Sequence, residues 1–154
     1  MKRFVLAAAA CLLSAPTLAH HGWSTFDQDR PYYLSGTIQS VRWANPHAEA
    51  VIEVAPDLKM PTDIGARPLP KQAQDVDGAV ILGKVRVPPD AGGQWSLEFA
   101  PLTRLQAWGM ATGPKVGDRV EVIGYTGTAG ARLMRVEYLF FGGRSAGLRS
   151  SPAN

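Results

Sequence analysis

From residue 30 onward the chain is cut by proline, glycine and asparagine into short runs of alternating polarity, and only one run has helical spacing. That punctuation points to an all-β domain made of strands of ordinary length. "YYLSGTIQSVRW" (32–43) is rich in β-branched and aromatic residues, and Asn45-Pro46 marks a turn behind it. In "HAEAVIEV" (47–54) the alternation places His47, Glu49, Val51 and Glu53 on one face. Ala48, Ala50, Ile52 and Val54 fall on the other, which is expected to meet the core.

"QWSLEFA" (94–100) alternates in the same way, with Trp95, Leu97 and Phe99 on one face. In "PLTRLQAWGM" (101–110), Leu102, Leu105 and Trp108 have helical spacing and Gly109 is a natural stop. A hairpin closes the pattern, with "KVGDRVEVIGYT" (115–126) turning through "GTAGA" into "RLMRVEYLFF" (132–141). This order, with one short helix between the third and fourth strands, predicts an OB-like five-stranded barrel; a small β-sandwich is the alternative. No repeat of solenoid or propeller length is present.

Residues 55–94 break the rhythm, with Pro56, Pro61, Pro68, Pro70, Pro88 and Pro89 scattered among glycines and charges. Only "AVILGKVRV" (79–87) has strand character there, so this Pro-rich insertion is expected to be an elaborated loop carrying a hairpin or one extra strand. The β domain is expected to span residues 20–143. Residues 144–154 offer little to bury and are expected to form a disordered tail.

Residues 1–19 have the parts of a secretory signal peptide: Lys2 and Arg3, the apolar run "FVLAAAACLL" (4–13), then "SAPTLA". Cleavage after Ala19 is favoured because Thr17 and Ala19 are small at the two positions the peptidase reads. The apolar run is far shorter than the roughly 20 residues a spanning helix needs, so no membrane anchor is expected. A periplasmic or secreted protein is the expectation. Cys11 lies within the apolar run and lacks the leucine of an acylation site, so the mature chain would contain no cysteine. Disulfides, thiolate metal sites and cysteine nucleophiles are thereby excluded.

The precursor carries 16 Lys and Arg against 13 Asp and Glu. Removal of Lys2 and Arg3 leaves 14 against 13, a formal charge of +1 that gives no basic footprint for nucleic acid.

The three histidines of the chain are His20, His21 and His47. If the mature chain starts at His20, its α-amine and imidazole can chelate one ion, and a second imidazole from His21 or His47 completes three nitrogens. Nitrogen-rich, near-square geometry suits Cu(II), which also heads the divalent affinity series. The amine must lose its proton on binding, so affinity should rise with pH. Glu49 shares the face of His47 about 7 Å along the strand, as an additional ligand or as a partner orienting the imidazole. The plainer reading makes the histidines polar surface residues and Glu49 part of a solvated strand face.

Trp95 and Trp108 fit apolar faces of a strand and a helix. Trp23 and Trp43 flank the histidines, and either wall a ligand pocket on the barrel or pack the mature N-terminus against the first strand. Asp27 and Asp29 lack the glycine and glutamate offsets of an EF-hand and read as turn residues with Arg30 as ion-pair neighbour. No nucleophile elbow, phosphate loop or HExxH motif is present, which leaves catalysis only through a bound metal.

"HHGWSTFDQD", "LSGTIQSVRWANPH" and "VGDRVEVIGY" followed by "RLMRVEYL" together resemble a group of small exported bacterial proteins defined by a domain of unknown function. Their mature chains begin His-His-x-Phe/Trp…Phe-Asp. The resemblance covers most of residues 20–143, least well at the insertion, and implies an exported β-rich domain whose pattern includes His20, His21, Trp43, Asn45, Pro46 and His47. It carries no activity with it. The family's paired histidines are usually followed by serine; Gly22 stands here, so no hydroxyl is required at that position.

Two functions are therefore expected to compete: binding of a transition-metal ion, copper foremost, through the N-terminal histidines, and a non-enzymatic periplasmic module binding a protein or small ligand with the histidines structural. A copper-dependent oxidative enzyme ranks third.

Overall fold

A computed structural model describes residues 22–127 and 132–153. Residues 1–21, which include the expected signal peptide, His20 and His21, as well as residues 128–131 and Asn154, lie outside the described residues.

Among the described residues six strands form one sheet: β1 (Phe26–Arg42), β2 (Glu49–Val54), β3 (Gly93–Glu98), β4 (Arg119–Gly127), β5 (Leu133–Phe141) and β6 (Arg144–Gly147), in the order β3-β2-β1-β4-β5-β6. A parallel pairing of Ser96, Leu97 and Glu98 with Leu133, Met134 and Arg135 joins β3 to β5 and closes the first five strands into a ring. All other strand pairs are antiparallel. The all-β class expected from the sequence holds, with β6 as an addition outside the ring and with two short helices rather than one.

β1 is long because it serves two neighbours: Pro31–Thr37 pairs with β4, and Gly36–Arg42 with β2. Where the two pairings overlap, a Cβ on Gly36 would lie 2.6 Å from the Glu53 carbonyl oxygen, so only glycine fits. Inside the ring pack Leu34, Ile38, Ile52, Trp95, Leu97, Phe99, Val120, Val122, Met134, Val136 and Leu139. The alternation read in 47–54 and 94–100 is the alternation observed. Helix α2 (Leu102–Ala107) lies between β3 and β4 and places Leu105 in this core.

The insertion departs from expectation. The first part of its strand-like run is helix α1 (Gly78–Lys84), whose first turn is capped by the Asp77 carboxylate accepting from the Val80 amide at 3.0 Å, while Arg86 at the end of the run makes a single parallel β-bridge to Tyr32. Ile81 and Val85 pack with Ile64 against Tyr33, Ile123 and Tyr138, giving the outer face of β1, β4 and β5 a second apolar cluster. A bulge between Ile123 and Gly124 supplies outward-facing residues to it: Ile123 pairs with Tyr138, but Gly124 pairs with Val136. A Cβ on Gly124 would lie 2.3 Å from the Arg135 carbonyl oxygen, a contact that explains the glycine.

The expected disordered tail is also corrected. Residues 144–147 form β6 along β5, and Ala146 and Leu148 are buried. The Trp108 indole N–H donates to the Ser150 carbonyl from one side, while Ala73 donates to the Ser151 carbonyl from the other. The reason is tertiary: α2 and the insertion each supply backbone and apolar partners that the local sequence does not reveal.

Candidate functional site

The turn "WANPH" ties the β1–β2 connection to the end of β3 and to α2. Trp43 packs at 5.5 Å against Phe99, with Gly113 against its ring. Asn45 Oδ1 accepts the Leu102 amide, the first of α2, at 3.1 Å. Arg42 donates to the Asn45 and His47 carbonyls and pairs with Glu49 at 2.8 Å, holding the turn from beneath.

His47 is thereby set at the end of β3, where its Nδ1 lies 3.0 Å from Glu98 Oε1. The same carboxylate oxygen accepts a hydrogen bond from Arg135 Nη1. Registers explain the arrangement: Arg42 pairs with Glu49, Glu49 with Glu98, and Glu98 with Arg135 across four neighbouring strands. Two like charges directly opposite would destabilise the sheet, and the flanking arginines offset them. Arg135 is nearly buried, and burial lowers its pKa from the ordinary guanidinium value while Glu98 opposes the shift and holds the charge. The Arg42–Glu49–Glu98 stretch floors an open groove of about 500 Å³ that also includes Ser40, Ser96 and Leu133.

The start of the described chain reaches the same outer face. Trp23, in a 3-10 turn (Trp23–Thr25), lies with Arg149 Cζ 4.1 Å and Arg135 Cζ 5.0 Å from its ring centroid, and meets Tyr125 edge-on at 6.2 Å. Arg149 in turn pairs with Glu137, a fully buried carboxylate that also accepts from Gln72. The Arg30–Asp27 ion pair read from the sequence is present at 3.2 Å.

Of the site residues expected from sequence, His47 and Glu49 stand close together, but the carboxylate against the imidazole is that of Glu98, while Glu49 is taken by Arg42. Trp23 and Trp43 pack on separate partners, Trp23 on Tyr125 and two arginines and Trp43 on Phe99. Sequence reasoning missed Glu98, Arg135 and Arg149; the outward position of Glu98 in "QWSLEFA" was its one available signal. Among the described residues no group of three or more His, Cys, Asp and Glu gathers as a metal-binding set, and no helix is long and apolar enough to cross a membrane.

The chain is thus an all-β ring with a polar face at one end, onto which its N-terminal turn is packed. A family of unknown function (DUF6152) has a model that matches residues 8–60, the stretch running through the paired histidines, β1, the "WANPH" turn and β2. Neither the curated proteins nor the solved structures contain a match to this chain.

Proposed function

We propose that the mature protein is an exported, non-enzymatic carrier or sensor of a transition-metal ion, copper foremost, bound by His20, His21 and His47. The observation that carries this reading is the contact of His47 Nδ1 with Glu98. A carboxylate beside Nδ1 favours the proton there and leaves the ring lone pair on Nε2, the arrangement that orients and strengthens a metal-ligating imidazole. The α-amine and imidazole of His20 supply a chelate pair, and these two nitrogens with a second imidazole, from His47 or His21, suit Cu(II). Export rests on Lys2, Arg3 and the apolar run behind them.

The test is native mass spectrometry of the protein purified from the periplasm, before and after one equivalent of Cu(II). A mass starting at His20 with one copper retained against a weak chelator is expected, and one alanine placed before His20 should abolish retention. A different start, or no retained copper, overturns the reading.

The rival reading, a binding module for a protein or small ligand with the histidines structural, would use the barrel face, Trp43 and the 55–94 insertion. Trp43 and the insertion are engaged in packing. Open grooves available to it include one over Arg42, Glu49 and Glu98 and one of about 560 Å³ along the insertion at Arg67, Gln72, Ala79 and Tyr138.

A further inference from the structure

β2 pairs with β1 only from Gly36 onward, so the preceding stretch of that edge of β1 is left to the insertion. Just after α1, the Arg86 amide donates to the Pro31 carbonyl at 3.2 Å and the Arg86 carbonyl accepts from the Tyr33 amide at 2.8 Å. This parallel bridge lays Arg86 beside Tyr32. Val85 is buried in the outer cluster and fixes the backbone between Lys84, the last residue of α1, and Arg86. Arg30, Lys84 and Arg86 thereby line one recess of about 410 Å³, with Pro31 and Tyr32 in its wall and Asp29 as its one carboxylate.

The charges of this recess are not balanced as they are elsewhere in the fold. Arg42, Arg67, Arg135 and Arg149 each pair with a glutamate. Among the described residues, neither Lys84 nor Arg86 has a side-chain hydrogen bond or ion pair. Arg30 pairs with Asp27 at 3.2 Å, but its side chain is 74% exposed, and a surface pair of this kind holds a guanidinium loosely. Beyond residue 19 the chain carries a formal charge of only +1, so the excess is local to the recess. Like charges gathered in a recess concentrate anions at its mouth. Asp29 offsets one of the three cations, and the two that remain are what a phosphate dianion balances. Guanidinium forks and a rotatable ammonium converging from separate segments also match the spread oxygens of a phosphate better than a planar monoanion.

We infer that the recess between β1 and the end of α1 binds the phosphoryl group of a small soluble molecule, with Lys84 and Arg86 as its principal ligands and Arg30 turning to it from Asp27. Pro31 and Tyr32 offer apolar surface to the rest of that molecule. The recess shares no residue with the groove over Arg42, Glu49 and Glu98, and the inference stands whether or not the protein binds copper.

The experiment titrates the mature protein with glycerol phosphate, inorganic phosphate and citrate by isothermal calorimetry, with circular dichroism to establish that every variant is folded. Glycerol phosphate should bind at a single site. Lys84→Gln and Arg86→Gln should each weaken it at least about tenfold, the usual loss for a hydrogen bond to a charged group, and Arg86→Lys should lose less because it keeps the charge. Lys115→Gln removes the same charge from an exposed lysine outside the recess and should leave affinity within about twofold. Absence of binding by either phosphate overturns the inference, as does an equal loss from Lys115→Gln, which would make net charge the cause. Citrate binding more tightly than both phosphates would overturn the phosphoryl assignment in favour of a polycarboxylate. Binding to phosphatidic acid vesicles with none to glycerol phosphate would overturn the soluble ligand in favour of a lipid headgroup.

Discussion

Glu137 and Arg149 form a charge pair beneath the surface, with Arg149 Nη2 2.6 Å and Nε 2.9 Å from the same Glu137 oxygen. The other oxygen accepts from Gln72 at 3.0 Å, so residues of β5, the insertion and the C-terminal segment meet at one fully buried carboxylate. Removing one partner would leave the other buried and uncompensated. Arg149→Ala should therefore cost about 3–5 kcal/mol in chemical denaturation, whereas Glu137→Leu combined with Arg149→Met should recover most of that loss. A single-variant cost near zero would show that water reaches the carboxylate.

The C-terminal segment should prove structural. Leu148 is buried and its amide donates to the Glu137 carbonyl at 2.7 Å. Truncation after Gly143 removes β6, Leu148 and the Arg149 charge together, and should lower the melting temperature by well over about 10 °C if the protein folds at all. An unchanged melting temperature would restore the disordered tail.

Asn45 offers a smaller, local test. Its side chain supplies the acceptor for the first amide of α2, and Asn45→Ala should cost about 1 kcal/mol, in the range of a lost helix cap. Asn45→Asp keeps the acceptor and should cost less; equal losses would assign the effect to the turn instead of the cap.

The residues involved explain what the sequence made legible. A strand buried on one face only, such as β2, advertises itself by alternation, and Glu49 and Glu53 point outward as read. β5 does not, because the insertion covers its outer side and the bulge at Gly124 shifts its phase, so every residue from Met134 to Leu139 is buried. "GAVILGK" looks like a strand by its β-branched residues, but the Asp77 cap and packing against Tyr33 and Tyr138 decide for helix. At the site, His47 was legible as a scarce residue type. Its carboxylate partner was not, because β2 to β3 is a pairing across the whole insertion, and the nearest acid in sequence, Glu49, was the natural but different choice.

Alkaline pH should loosen the fold before it attacks ordinary surface groups. Burial, with a smaller contribution from Glu137, pushes Tyr125 up to about 12. Tyr33 and Tyr138 are raised as well, burial leading in both and Glu121 adding to it at Tyr33. In the unfolded chain tyrosine ionises near 10, so the unfolded state releases protons first as pH rises. The stabilisation is complete below about pH 10 and is lost as pH climbs from there through the folded values. Melting temperature should fall over that window, with phenolate absorbance lagging until unfolding. Phenolate appearing fully near pH 10 in protein that remains folded would contradict the buried placement.

Glu98 and Glu49 give the last discrimination. Both are outward-facing carboxylates within the row that begins at Arg42, and sequence alone favoured Glu49 as the partner of His47. The structure puts Glu98 against Nδ1 and Arg42 against Glu49. If Glu98 fixes the imidazole tautomer for metal binding, Glu98→Gln should lower Cu(II) affinity by about 10- to 100-fold, the usual consequence of removing a carboxylate behind a ligating histidine. Glu49→Gln disturbs only an exposed ion pair and should leave affinity within about threefold. Because Glu98→Gln also strips Arg135 of its counter-charge, the comparison is made at a temperature where circular dichroism shows both variants folded. Equal losses from the two variants would mean that the general negative potential of this face matters and the Nδ1 contact does not. A loss confined to Glu49→Gln would make Glu49 the functional carboxylate and remove Glu98 from the site.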